Sequence, residues 1–594
     1  MAGRERLVLA CIAALAVATP AGALDPVGFD VRSADEDLTD DLRGASLVLQ
    51  AEREKRLEPQ DMFAAAQADY ARLLGTLYAA GHYSGVINIR LDGREAAGIA
   101  PLNAPQSIGR VQITVDPGPR FTFGRAEVGP LAPETELPED FVPGGVAYSD
   151  AIRAANEAAI DGWRHAGHAK AATVRQDIVA DHGARRVDAR LGLAPGPLVR
   201  FGHLSFSGSD NVRPARLHKI AGFPTGEVYD PEEVDRVADR LRRTGVFRSV
   251  ALTENERLGP GATLDMQAAL IEEAPRRIGA GVELASFEGL TLSGYWLHRN
   301  LLGGAERLRF DAEIAQIGGQ RSGTDYSLGA TYDRPATLTP DTTLNLRAKV
   351  GRLAEEDYTE DAGEIGFGFS HMFSNELTAR AGLDYRYSVV RDSLGKTTFK
   401  NLRMPLGVLW DRRDSKTDAT RGTYLDAELA PFVGFGTTDS GARLVADGRI
   451  YRALGERVVL AGRLQVGAVM GAAIARTSRD YLFYSGGGGT VRGQPYQSLG
   501  VNVLPGQRTG GTAFLGASVE ARVKVTDRIG VVAFYDYGRV GADGFGGSAD
   551  WHAGAGLGVR YATGIGPIRL DVGAPAGGNT GKGAQIYIGI GQAF

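Results

Sequence analysis

The chain has 594 residues, with 66 basic and 71 acidic side chains and a formal net charge of -5, so it carries no electrostatic footprint for nucleic acid. Glycine is the outlier: 81 residues is about twice the ordinary share, without a G-X-Y period and mostly after residue 278. The single cysteine, Cys11, leaves the rest of the chain without disulfides, cysteine zinc sites or a cysteine nucleophile.

The first 23 residues read as an export signal. Arg4 and Arg6 make a basic start, Leu7 to Val17 is an apolar run, and Ala21-Gly22-Ala23 is the small-residue pattern that a signal peptidase accepts. The run is too short for a stable membrane-spanning helix, so the mature chain is expected to begin at Leu24. No later stretch offers about 18 uninterrupted apolar residues, so any further crossing must use a closed barrel.

Between Leu24 and Ile278 a unit recurs. Pro117-Gly118-Pro119 and Pro195-Gly196-Pro197 are 78 residues apart; Phe123-Gly124 and Phe201-Gly202 keep that shift, and Pro275 follows Pro197 by the same distance. Three amphipathic helices end near Gly81, Gly167 and Gly245, each before a strand-like run, as a left-handed helix C-terminus allows. Units of this size, with helices, a glycine turn and paired strands, resemble POTRA domains. About 80 residues per unit leaves room for three: 24–117, 118–197 and 198–275. The resemblance implies sheet edges and grooves that receive client chains and partner proteins.

Residues 276–594 read as a barrel. From Ala584 to Phe594 the even positions are mostly apolar and the odd ones small or polar, as a lipid-facing strand requires. Trp551 to Tyr561 alternates in the same way, and Ile568, Leu570 and Val572 alternate with Arg569, Asp571 and Gly573. Connections alternate too: Thr526-Asp527-Arg528 and Thr563-Gly564 are short, while Val540 to Asp550 and Gly573 to Gly583 are long. Short periplasmic turns and longer external loops follow that rhythm. At roughly 20 residues per strand and connection, about sixteen antiparallel strands are expected.

One constellation is specific. Gly486 to Gly489 precede Val491-Arg492-Gly493-Gln494. Alternation puts Ser518 and Glu520 on the lumen face of one strand and Asp536 on that of the next. Pairing Val525 with Ile529 sets Asp536 opposite Ser518 and makes Glu520 its diagonal neighbour, roughly 7–8 Å away. Two carboxylates that close favour a shared cation, and a guanidinium fork can serve both.

Val491 to Gln494 resembles the inward-folded sixth-loop motif of the Omp85 superfamily, with Gln494 where an aromatic is usual and Tyr496 as its possible stand-in. The resemblance implies that Arg492 pairs with Glu520 and Asp536, and that Tyr587, Gly589 and Phe594 form the C-terminal strand signal. Asn300-Leu301-Leu302-Gly303-Gly304 looks like the family's first barrel hairpin. Asp411-Arg412-Arg413-Asp414 with Thr420-Arg421-Gly422 looks like an internal strand pair of the family, with Ala419 replacing proline. Three POTRA domains and about sixteen strands resemble the TamA branch, the outer-membrane subunit of the translocation and assembly module. That implies client outer-membrane β-barrel proteins, the lipid bilayer and a TamB-like inner-membrane-anchored partner.

No enzyme and no cofactor are expected. GxSxG and HExxH are absent, and Gly577 to Gly583 lacks the serine or threonine and the first glycine of a P-loop. His165 and His168 have no convincing third ligand, and Gly554-x-Gly556-x-Gly558 reads as a small lumen face. The expected mechanism is templated insertion at a weak seam between the first strand, near Ile278 to Leu284, and the last. Conduction, as a secretion pore of the two-partner type or a phospholipid conduit, uses the same parts.

Overall fold

The computed structural model describes residues 26–594 apart from 286–288, 320–322, 394, 505–506 and 565. The expected signal segment and its cleavage point before Leu24 lie outside the described residues. The chain divides into two compact units. One holds the first two α/β modules with short pieces of the third; the other holds the rest of the third with the barrel.

In the first module, helices Glu36–Ala45, Leu47–Arg53 and Pro59–Ala79 pack on a sheet whose central strand, Val111–Asp116, pairs parallel with Gly28–Val31 and antiparallel with Val86–Leu91. The core is Leu42, Met62, Leu73, Leu77, Ile89 and Ile113, all removed from solvent. Buried Asp69 reaches from the long helix to Ser46 Oγ (2.7 Å) and the Leu47 and Val48 amides, satisfying donors at the start of a neighbouring helix. The second module repeats the plan with helix Ser149–His165 and strands Thr122–Gly129, Ala172–Asp181 and Arg186–Ala194.

The repeated glycines have a physical tie. Gly81 and Gly167 adopt φ of +82° and +91° and end their helices in left-handed turns. The histidine after each then contacts the carbonyl of the Pro-Gly-Pro glycine: His82 Nδ1 to Gly118 O and His168 Nδ1 to Gly196 O, both at 2.9 Å. The helix end and the turn motif therefore fasten each other. His165 instead contacts Asp161 O.

The third module has strands Arg200–Ser207, Phe247–Glu254 and Thr263–Glu272 with helices Pro214–Ala221 and Pro231–Arg243. Its helices dock on short turns of the barrel. Arg213 N donates to Gly303 O (2.8 Å), Asn300 Nδ2 donates to Asn211 O (2.8 Å), and buried Arg216 donates to the Pro335 and Ala336 carbonyls. Asn300 to Gly304 is thus a turn that grips the module. Arg240 and Arg243 both bond Asp341, at 2.7 and 2.5 Å.

Burial pushes the Asp341 carboxyl up, but hydrogen bonds from Arg240 and Arg243 outweigh it and hold it below the ordinary value. With the docked pKa depressed, the contact contributes fully above the free-aspartate value of about 4 and is lost as pH falls through the docked value. Asp341→Asn should loosen the docking at pH 7 by roughly 1.5–3 kcal/mol. Protease accessibility of the segment between Glu272 and Arg276, followed against pH, measures this. Equal protection of variant and wild type at pH 7 would show the pair to be dispensable.

The barrel closes with sixteen antiparallel strands. The eighth runs as Gly395–Arg403 and Leu406–Asp411, interrupted because Pro405 has no N–H to donate, but both pieces keep the same neighbours without a shift of register. Outward positions are large and apolar, with Val519 and Leu557 59% and 69% exposed, while their neighbours Glu520 and Gly558 face inward and are buried. Most neighbours pair along long registers, such as Leu454↔Val458 to Ala442↔Met470. The first strand, Arg276–Ala285, and the last, Gln585–Ile590, pair only at Leu284↔Ile588 and Ala285↔Tyr587 among the described residues.

The last strand is shorter than its alternation implies. The pattern assigns Phe594 to the lipid face of a strand running from Ala584, yet the strand ends at Ile590. Gly591 turns the chain at φ +90°, and Phe594 enters the barrel mouth against Ala419, Tyr451 and Ala461. The guanidinium groups of Arg463 and Arg522 lie 5.9 and 5.6 Å from its ring, and Gln592 N donates to Thr417 O. Burial of the ring and these cation–π contacts favour the inward turn over further pairing.

Candidate functional site in the barrel lumen

The longest connection runs from the eleventh strand, Val458–Met470, to the twelfth, Ala513–Lys524, and folds into the lumen. Its tip is a turn closed by Gly487 N to Gln494 O (2.9 Å) and Gly486 N to Thr490 Oγ1 (2.8 Å). The twelfth strand presents Glu520; the thirteenth, Ile529–Gly541, presents Asp536. Ser518↔Asp536 is a direct register pair.

Arg492 lies between those carboxylates, 3% exposed. Its Nε and Nη2 fork onto Asp536 at 2.8 and 3.0 Å, Nη1 reaches Glu520 at 2.7 Å, and the Arg492 amide also bonds Asp536 at 3.1 Å. The cluster extends beyond these three residues. Asp571, on the fifteenth strand Ile568–Gly577, stands 3.4 Å from Nη1, and the Phe534 ring lies 3.7 Å from the guanidinium carbon. Arg522 pairs with Glu520 at 2.8 Å and Arg560 with Asp571 at 2.5 Å. Three buried carboxylates thus meet three guanidinium groups, the condition under which a buried charge network is tolerated. Asp571 has lumen parity in the sequence; its approach to Arg492 depends on how deep the loop enters.

The loop has a seat of glycines. A Cβ on Gly554 would lie 1.8 Å from Arg492 O, and one on Gly556 would lie 2.1 Å from Val572 O and 2.4 Å from the Phe534 ring. Gly493 itself, at φ +89°, would bring a Cβ within 2.6 Å of Ala574 O. Of the small lumen face formed by Gly554, Gly556 and Gly558, Gly554 meets the tip directly, while Gly556 and Gly558 make room for Phe534 and Asp571 of the wall.

Gln494 fills its own position. Fully buried, it donates to Ala553 O (2.7 Å) and Gly577 O (3.1 Å) and accepts from Thr580 Oγ1 (2.9 Å). An amide serves here because the neighbours are backbone carbonyls. Tyr496 is only half-buried and bonds Gln497. Gly493 N donates to Tyr587 OH (3.2 Å) on the last strand, which ties the tip to a seam residue. Gly589 pairs with Arg569, away from the tip.

The other segments singled out by sequence stiffen the short-turn rim. Arg413 forks onto Asp411 at 2.8 Å, Asp414 accepts from Thr420, and Ala419 is buried beneath Phe594. The P-loop-like stretch is strand to Gly577 and then the external turn that carries Thr580. No group of three or more His, Cys, Asp or Glu side chains suited to a metal ion occurs among the described residues.

Comparison with known proteins agrees with this architecture. The family model for the Omp85 superfamily domain matches residues 300–594, and the POTRA model, described as a surface antigen variable number repeat, matches residues 199–265. Among solved structures the chain is similar to BamA from Haemophilus ducreyi lacking POTRA domains 1–3, at 15% identity and a TM-score of 0.58, covering 75% of this chain and 94% of that one. It is also similar to CdiB from Acinetobacter baumannii, at 13% identity and a TM-score of 0.51, covering 80% and 90%. At these identities the likeness is one of fold.

Proposed function

Because the chain carries an Omp85 superfamily domain behind a POTRA repeat, an outer-membrane barrel with its arm in the periplasm, we propose that it inserts client β-barrel proteins into the outer membrane by templating their strands at the seam. One observation carries the reading. Among the described residues the first strand has no partner on the last-strand side from Arg276 to Glu283, although Ile278 and Val282 are 79% and 72% exposed and face lipid. Unpaired backbone groups cannot be left in hydrocarbon, so a strand added from a client gains both its hydrogen bonds and an apolar face.

The finer assignment, also proposed, is to the TamA type. Three POTRA-like modules support it, and they would receive a TamB-like protein anchored in the inner membrane. Arg492 is proposed to hold the sixth loop in place while the seam works. Secretion through the lumen, which would use the same barrel and sixth loop, is the competing reading. The test is depletion of the protein in cells, with heat-modifiable client barrels and secreted polypeptides counted in parallel, and with photo-crosslinks taken from the arm. Loss of assembled barrels with secretion intact is expected, together with a crosslinked bridging protein. Loss of secretion alone would overturn insertion.

A further inference from the structure

The arm of the sixth loop that leads to the tip makes ionic contacts of its own, far from Arg492. The sixth strand, Tyr358–Met372, supplies Glu360 and Glu364; the seventh, Leu377–Asp392, supplies Arg386, Ser388 and Asp392. Arg386 contacts Glu360 at 3.1 Å and Glu364 at 3.7 Å, and its Nε lies 3.2 Å from Asp480 of the loop. Ser478 donates to Asp480 Oδ1 (2.6 Å) and lies 3.3 Å from Ser388 Oγ. Arg479 pairs with Asp392 at 3.0 Å and donates to Ile474 O. Arg443 donates to Tyr481 O (3.2 Å), and Tyr481 packs edge-on against Phe432. Ser478, Arg479 and Tyr481 are all buried.

We propose that Asp480, with Ser478 and Arg479, forms a second clasp that makes the sixth loop a strut across the lumen, so that both clasps must open before the bore does. The Arg492 partners are on the twelfth, thirteenth and fifteenth strands and Arg386, the wall partner of Asp480, is on the seventh, five to eight strands away in a sixteen-strand barrel. Twelve residues separate Asp480 from Arg492, and extended chain of that length reaches at most roughly 40 Å, enough to bridge two walls. The loop gives a cation, Arg492, to an acidic wall at one end; at the other it gives a carboxylate, Asp480, to Arg386 and a cation, Arg479, to Asp392. A reversed loop would leave Asp480 facing Glu520 and Asp536, a like-charge contact that disfavours that orientation. Asp480 is therefore a positioning residue for Arg492.

The experiment uses the full-length protein in planar bilayers, with trypsin cleavage of the loop arm at Arg476 as a second readout and heat-modifiable mobility as the check on folding. Asp480→Asn should speed trypsin cleavage at Arg476, whose side chain is already exposed, by loosening the arm around it, while the tip around Arg492 stays protected. Either Asp480→Asn or Arg492→Ala alone should raise channel opening a few-fold at most. The double variant should raise it at least tenfold, and Asp480→Glu should restore wild-type behaviour. Wild-type proteolysis and conductance for Asp480→Asn, alone and with Arg492→Ala, would overturn the strut. Full opening by Arg492→Ala alone would overturn it too. Any consequence for client assembly rests on the insertion reading; proteolysis and conductance do not, so the two failures are distinguishable.

Discussion

Arg492→Ala should yield a barrel that still folds and resists heat-free detergent unfolding, with a sixth-loop tip that proteases cut. The substitution removes the fork onto Asp536, the bond to Glu520 and the approach to Asp571, and leaves the Phe534 face uncovered. Taking one partner from a buried ionic pair costs roughly 3–5 kcal/mol. Arg522 and Arg560 remain to compensate Glu520 and Asp571, so the low end applies. About 3 kcal/mol still shifts the docking equilibrium by roughly a hundredfold. The strands rest on long pairing registers and should survive. The tip rests on these contacts and on Gln494, and should not.

Release of the tip also removes the bond from Gly493 N to the Tyr587 hydroxyl, and Tyr587 is paired across the seam with Ala285. Client assembly should therefore fall at least tenfold. Arg492→Lys should rescue only in part, because an ammonium group cannot reproduce the planar fork. Limited proteolysis beside an assembly assay, on Arg492→Ala and on Glu520→Gln/Asp536→Asn, is the measurement. Wild-type loop protection and assembly in both would mean that these charges only line a wet lumen.

Locking the seam should abolish insertion reversibly. Leu284 and Ile588 are direct register partners, and the described residues contain no cysteine to compete. A Leu284→Cys/Ile588→Cys pair should form a disulfide on oxidation and return to normal on reduction. The bond would hold the first and last strands together, so that they could not part to let a client strand in beside Arg276 to Glu283. Assembly should fall close to background in the oxidised protein and recover with reductant, while each single variant behaves as wild type. Normal assembly by the oxidised pair would rule out lateral opening.

Period-two alternation is local, so the sequence alone determined the barrel, its inward and outward faces and the lumen parity of Glu520, Asp536 and Asp571. A three-residue turn between strands carries register with it, which is why Ser518 opposite Asp536 is legible in the sequence. The helix-ending glycines and Pro-Gly-Pro turns marked the repeats because backbone conformation there restricts residue type. Their tie through His82 and His168 was not legible, since it joins positions 36 and 28 residues apart through space.

What the tertiary structure decided is everything that depends on packing between distant segments. It turned Phe594 into the mouth, because Gly591 permits the turn and Tyr451, Ala461 and two arginines receive the ring. It gave Gln494 its place, because carbonyls of Ala553 and Gly577 converge there. It brought Asp571 to Arg492 and Asp480 to Arg386, because a loop's depth in a lumen follows from the shape of its seat. The glycines that hollow that seat were visible in the sequence as small residues. That they make room for the Arg492 carbonyl is a fact of three dimensions.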